Sequence, residues 1–255
     1  MRKVQRLAIS LTCLLPLTAQ AIVNIENMRD KQSNKGLNGA VNASISGASG
    51  NTDKTVASLG GRLVWQQKKA STLLITRISY GENSGIRDTN KSFLHLRHIV
   101  EKNDQYAQES FTQIEQNEFS RLDFRGLIGA GLRKNLKQSD SGYLAAGLGA
   151  FYSSETLSPR SGLTDDGTEK LSRLNSYLAF NYQLSPQTSI SSTTYYQPAF
   201  KEVKDFRLLE QASLKVKLSD VLHLKITLDI AHDNQPPQAV EKTDTSYRTG
   251  IEYNF

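Results

Sequence analysis

The feature that most constrains this chain is a two-residue period in its apolar side chains, held over long runs and repeated along most of its length. From Val221 to Asp233, Leu222, Leu224, Ile226, Leu228 and Ile230 share one face of an extended strand, while His223, Lys225, Thr227 and Asp229 share the other. A helix, at about 3.6 residues per turn, would scatter both sets. Arg121 to Arg133 repeats the pattern, with Leu122, Phe124, Ile128, Ala130 and Leu132 on one face and Arg121, Asp123, Arg125 and Arg133 on the other.

About twelve such runs can be traced, starting near Gly36, Thr55, Ser71, Ser92, Ala107, Arg121, Gly142, Ser172, Ser189, Leu208, Val221 and Thr245. They are longer than the five or six residues of an average soluble strand, and they suit a tilted membrane strand of about nine to eleven residues. An even count returns both chain ends to one side, the periplasm in an up-and-down barrel. The connections alternate in length accordingly. Tight turns are expected at Gln67 to Lys69, Lys102 to Asp104, Ser185 to Gln187 and Ser219-Asp220, and longer loops at Gly81 to Asn90, Leu157 to Lys170, Pro198 to Asp205 and Asn234 to Asp244. Asn135 to Ser141 is long for a turn, Asn117 to Phe119 is short for a loop, and Tyr106 to Glu115 alternates poorly. The expected fold is all-β: a transmembrane antiparallel up-and-down β-barrel of about 12 strands over residues 36–255.

The N-terminus fits export. Arg2, Lys3 and Arg6 precede an apolar stretch from Leu7 to Leu17 and then Ala19-Gln20-Ala21, the order of a secretory signal peptide (1–21) cleaved after Ala21. As a membrane anchor the stretch is too short for about 30 Å of hydrocarbon and is broken by Ser10, Thr12 and Pro16. A short polar periplasmic leader, 22–35, is expected next. Cys13, the sole cysteine, leaves with the signal, so the mature chain has no disulfide and no thiolate metal ligand.

At the other end, Tyr247, Thr249, Ile251, Tyr253 and the terminal Phe255 share one face, and Arg248, Gly250, Glu252 and Asn254 share the other. Tyr247, Ile251, Tyr253 and Phe255 look like the C-terminal signal read by the outer-membrane assembly machinery.

Composition removes other classes. The net charge of +6 falls to about +3 without the signal cations, and no clustered basic stripe of the kind nucleic acid requires is present. With 38% hydrophobic residues the mature chain has no stretch fit for a membrane helix, whereas a barrel's polar lumen face keeps average hydropathy low.

Parity directs Arg62, Arg97, Arg121, Arg125, Arg133, Lys215, Lys217, Lys225 and Arg248 to the lumen, with Glu109, Glu115, Asp123, Asp229 and Glu252. Such charges either tune solute passage or pair across a filled interior. His95 and His223 point inward and His98 and His232 outward, so no pair has metal-ligand spacing. His232, at the outer rim beside Thr243 or Thr245, motivates a lipid-modifying enzyme as an alternative, although Ser246 points to the other face. Asp165-Asp166-Gly167 supplies too few spaced oxygens for a calcium loop. No metal, cofactor or catalytic residue is expected.

Ile22-Val23-Asn24-Ile25-Glu26-Asn27-Met28-Arg29, Ser49-Gly50-Asn51-Thr52, and Gly126 to Arg133 with Gly142 to Tyr152 resemble the salt-induced outer-membrane protein family that carries domain of unknown function 481. The resemblance covers nearly all of the mature chain. It implies an outer-membrane barrel and brings no catalytic residues. The leading expectation is a non-enzymatic outer-membrane protein forming a narrow channel for small hydrophilic solutes. Its alternatives are the rim enzyme at His232 and a closed structural barrel linked to salt or envelope stress. Expected partners are outer-membrane lipid and lipopolysaccharide, the barrel assembly machinery, and small hydrophilic solutes.

Overall fold

A computed structural model describes residues 36–48, 53–165 and 167–255. The expected signal peptide, the Ala19 and Ala21 cleavage site, the leader 22–35 and the Ser49 to Thr52 motif lie outside the described residues. Twelve antiparallel strands follow one another: β1 (Gly36–Ala48), β2 (Lys54–Gln66), β3 (Ala70–Asn83), β4 (Ile86–Glu101), β5 (Tyr106–Asn117), β6 (Leu122–Ser139), β7 (Gly142–Leu157), β8 (Gly167–Ser185), β9 (Thr188–Pro198), β10 (Phe206–Lys217), β11 (Leu222–Asp233) and β12 (Thr243–Asn254). Each pairs with its predecessor, and β12 pairs with β1 to close the barrel. Closure gives the backbone amides partners without water, the condition for crossing a bilayer.

The closing seam is short. β1 and β2 pair from Gly36↔Gln66 to Ala48↔Lys54, whereas β1 and β12 pair only from Ala40↔Asn254 to Ala43↔Ile251. The seam is extended by Gly39 and Phe255, whose N–H groups each donate to the other's carbonyl at 2.9 and 3.0 Å. The Phe255 ring lies where a Cβ on Gly39 would stand, 2.3 Å from that position.

Gly36, Phe255 and most of the tight turns share one end of the barrel, the turn end; the longer connections share the loop end. Two expected boundaries are corrected. Gly81 to Asn90 is no loop: β3 and β4 run on to a two-residue turn at Ser84-Gly85, both at positive φ (53° and 75°), the twist a tight hairpin favours. β6 likewise continues to Ser139 through a register shift between Asn135 and Lys137, leaving a tight turn at Asp140-Ser141. Polar stretches extend strands beyond the apolar belt because both faces there can meet water. Tyr106 to Glu115, irregular as sequence, alternates regularly in burial, because its inward set mixes Ala107 and Phe111 with Glu109, Gln113 and Glu115.

Outward faces carry the apolar belt, including Leu59, Leu63, Ile78, Ile128, Leu148, Leu178 and Ile226, all exposed. Aromatic side chains rim it at both ends. Trp65, Tyr106, Tyr182, Tyr253 and Phe255 lie toward the turn end; Tyr80, Phe124, Tyr152, Tyr196 and Tyr247 lie toward the loop end. Tyr152 pairs with Ser172, and β8 runs from Ser172 to Tyr182, about 33 Å of strand. Tilted by about 40°, that spans about 25 Å, the height of a membrane belt.

The interior is not uniformly polar. Phe111, Leu127, Phe151, Tyr177, Tyr195 and Leu209 pack together inside, and so do Val64, Leu73, Ile75, Phe93 and Ile99. Inward glycines make room for the rings: a Cβ on Gly147 would stand 2.0 Å from Tyr177, and one on Gly129 2.5 Å from Phe111. The Gly-rich stretches of β6 and β7 are therefore the floor on which the interior aromatics rest.

Candidate functional site

Along β4 to β8 and β10 the interior is filled by paired charges. Glu155 lies between two guanidinium groups. Arg207 donates Nη1 to its Oε1 at 2.8 Å and Nη2 to its Oε2 at 2.9 Å, and Arg125 donates Nη2 to Oε2 at 2.9 Å. Arg125 also pairs with Glu115, and Arg207 Nε donates to Asp233 Oδ2 at 2.8 Å. The Gln113 amide donates to Glu115 Oε2 at 2.9 Å and meets His95 Nδ1 at 2.9 Å. Arg97 Nη1 donates to Glu109 Oε2 at 3.1 Å, and the Tyr177 hydroxyl donates to the same oxygen at 2.9 Å. Arg173 forks onto Asp205 at 2.8 and 2.9 Å. Arg133 lies 5.3 Å from the Tyr143 ring centre. Charges leave water only when paired and hydrogen-bonded, and here Arg97 and Gln197 are 0% exposed.

The wall made by β11, β12, β1 and β2 differs. Its inward side chains include Ala40, Asn42, Ser44, Ser58, Gly60 and Gly250, all small. With them on this side of the interior stand six cations, Arg62, Arg77, Lys91, Lys215, Lys225 and Arg248, and three carboxylates, Asp229, Asp244 and Glu252. Lys215 and Lys225 reach Glu252 at 3.0 and 3.4 Å, and Arg248 reaches Asp229 at 2.6 Å. The side chains of Lys215 and Arg248 keep 22% of their surface exposed. A cavity of about 30 Å³ is lined by Arg77, Lys91, Phe93 and Arg248, and another of about 50 Å³ lies beneath the loop 234–242. The interior is thus packed and charge-matched on one side, and carries a cationic excess with part-exposed side chains on the other.

Over the loop end, loops 158–166 and 234–242 are clasped together. Arg121 Nη1 donates to Asp165 Oδ1 at 2.7 Å and to the Gln238 carbonyl at 2.8 Å, while the Gln238 N–H donates to Asp165 Oδ2 at 2.6 Å. Burial works against charge on Asp165, but the Gln238 N–H and the Arg121 guanidinium outweigh it and hold the carboxyl below its ordinary value.

Of the residues chosen from sequence, Arg62, Arg97, Glu109, Glu115, Arg125, Arg133, Lys215, Lys225, Asp229, Arg248 and Glu252 face inward. Lys217 stands at the turn-end mouth, paired with Asp220 at 2.7 Å. Two placements are corrected. Arg121 is not in a strand: it caps a 3-10 turn, Glu118–Ser120, at φ 56° and serves the clasp. Asp123 is exposed rather than inward, because a bulge between β5 and β6 opposes Glu115 to Arg125 but Asn117 to Leu122. That extra residue turns Leu122 in and leaves Asp123 and Phe124 both outside. Sequence reading missed Arg77, Lys91, Glu155, Arg173 and Arg207. Parity would have found Arg173, which shares a face with Asn175 and Tyr177; Glu155 and Arg207 lie near strand ends, where the apolar pattern fades.

Tyr247, Ile251, Tyr253 and Phe255 all face outward and are exposed. His232 meets Thr243 at 2.7 Å and its ring packs beside Phe206 at 5.7 Å. The same cross-strand pairing recurs at the turn end, where Thr72 meets His98 at 3.0 Å. A pairing repeated at both ends is a way of satisfying an outward histidine near the interface rather than a sign of one special site. Asp165 is committed to the clasp; Asp166 lies outside the described residues. Glu210 is an outlier: it faces outward on β10, where the Ser192 and Thr194 hydroxyls donate to it.

Among solved structures the chain is similar to the NanC porin, with a TM-score of 0.50 and 10% identity over 86% of this chain and 100% of that one. It is also similar to a KdgM porin in complex with disordered oligogalacturonate (TM-score 0.49, 11% identity, 85% and 99% covered). The translocator domain of the autotransporter NalP from Neisseria meningitidis matches with a TM-score of 0.49 and 11% identity over 88% of this chain and 90% of that one. At 10% identity the NanC likeness speaks for the fold alone. No match is found among curated proteins. The model of one family, described as protein of unknown function DUF481, matches residues 41–255, and with most of its length accounted for in this way the chain belongs to that family.

Proposed function

We propose that this barrel is a non-enzymatic outer-membrane protein that passes small hydrophilic solutes along one side of its interior. The observation that carries the reading is the asymmetry of the lumen. Small side chains line β1, β2 and β12 beside cations that keep part of their surface exposed, while the opposite side is packed by Arg–carboxylate pairs. A route lined by polar groups on one side of a filled barrel admits small solutes and excludes large ones. In this reading the aromatic-rimmed belt rests in outer-membrane lipid below lipopolysaccharide, and Tyr247, Ile251, Tyr253 and Phe255 are offered to the assembly machinery.

The clasp on Arg121 favours a second reading, a closed structural barrel, because it ties two loops over the loop end. Conductance in planar bilayers, together with solute-dependent swelling of proteoliposomes, separates the two. Small discrete conductance steps and swelling with small sugars but not large ones are expected. A silent bilayer and no swelling would leave the closed barrel. For the enzyme alternative, His232→Ala is expected to leave lipid turnover at the background of the parent barrel; a turnover lost with His232 would reinstate it.

A further inference from the structure

We propose that the route selects small anions, and that Arg77, Lys91 and Arg248 form the selecting site where β3, β4 and β12 face one cavity. The inference deepens the solute-passage reading and rests on it for its role in transport.

On the packed side, Arg97, Arg125, Arg173 and Arg207 each hold a carboxylate of their own, so that wall offers an ion little net field. On the open side the cations outnumber the carboxylates, and three of them, Arg77, Lys91 and Arg248, line the cavity beside Phe93. Arg77 is placed there by stacking: its guanidinium carbon lies 5.7 Å from the Phe93 ring centre. Arg248 is anchored by Asp229 at 2.6 Å, and Lys91 lines the same space. The one carboxylate on the cavity wall, Glu115, is engaged by Arg125.

Three cations from separate strands around about 30 Å³ make room for a monoatomic or similarly small anion with little of its water. Confined between low-dielectric walls, their field acts on an ion more strongly than the same charges would in bulk water. Asp229, Asp244 and Glu252 lie on the same side and keep the site from holding the anion too tightly to release it.

The test reads selectivity and binding separately. Across a KCl gradient in planar bilayers, the reversal potential should report chloride passing in preference to potassium. The double variant Arg77→Gln, Lys91→Gln should lower that preference by about fivefold, as expected when roughly 1 kcal/mol of attraction is removed. Arg87→Gln, at the exposed rim, should leave it unchanged. Heat-dependent gel migration checks that each variant is folded. Conductance without anion preference, or with a preference untouched by the double variant, overturns the inference while leaving solute passage standing. Chloride-35 line broadening on the detergent-solubilised barrel covers a silent bilayer. Broadening that the double variant abolishes supports the anion site even when solute passage fails, and broadening equal in parent and variant overturns it.

Discussion

Single side chains set how the interior fills. Tyr177 can lie flat on β7 only because residue 147 is glycine, and from there its hydroxyl holds Glu109 beside Arg97. Gly147→Ala should therefore push the ring off and loosen a buried ion pair, lowering stability by about 1–3 kcal/mol in urea unfolding from micelles. An unchanged midpoint would mean that the ring has room to shift. On the lipid side, Glu210 places a carboxylate beside the hydroxyls of Ser192 and Thr194 on a face that is otherwise mostly apolar or aromatic. Charge facing lipid costs stability in a depth-dependent way, so Glu210→Leu should stabilise the barrel by up to about 2 kcal/mol in lipid bilayers. A loss of stability instead would show that the polar cluster is a structural tie.

Among elements, the loops decide access. Loops 158–166 and 234–242 are joined through Arg121, a residue held at positive φ by the 3-10 turn before it. Arg121→Ala removes the charge-assisted bonds that hold the two loops, so trypsin cleavage after the exposed Arg160 should quicken by about tenfold or more. The clasp also has a pH sense. Asp165 has its carboxyl lowered in the folded chain, so its contribution is present above the unfolded value, near 3.8, and is lost as pH falls through the lower folded one. Cleavage at Arg160 by an acid-tolerant protease of matching specificity should thus stay slow at neutral and mildly acidic pH. It should quicken only in the acid range below about pH 4. Release at pH 6 would place the controlling group elsewhere.

At the scale of the whole molecule, Glu155 joins β7 to β6 and β10, and through Arg125, Arg207, Glu115 and Gln113 the network reaches β5, β4 and β11. Glu155→Ala leaves Arg125 with Glu115 alone and Arg207 with Asp233 alone, and should cost about 1.5–3 kcal/mol for the lost charge-assisted bonds, read as a lower urea midpoint. A change under about 1 kcal/mol would mean that water enters and solvates both. The architecture is legible in local sequence pattern. The two-residue period of Leu222 to Ile230, repeated about twelve times with the strand that ends at Phe255, requires one apolar and one polar face, and strand parity is a local property of the backbone. Parity also placed most of the charged candidates correctly, from Arg62 to Glu252. It failed at Asp123 because a bulge adds a residue that no local pattern announces, and at Arg121 because a clasp depends on a loop far along the chain. Which inward charges meet depends on how the whole chain closes. Pairing partners such as Arg207 and Glu155 are set by the closure of twelve strands into one ring, a condition on the whole chain that no single strand contains.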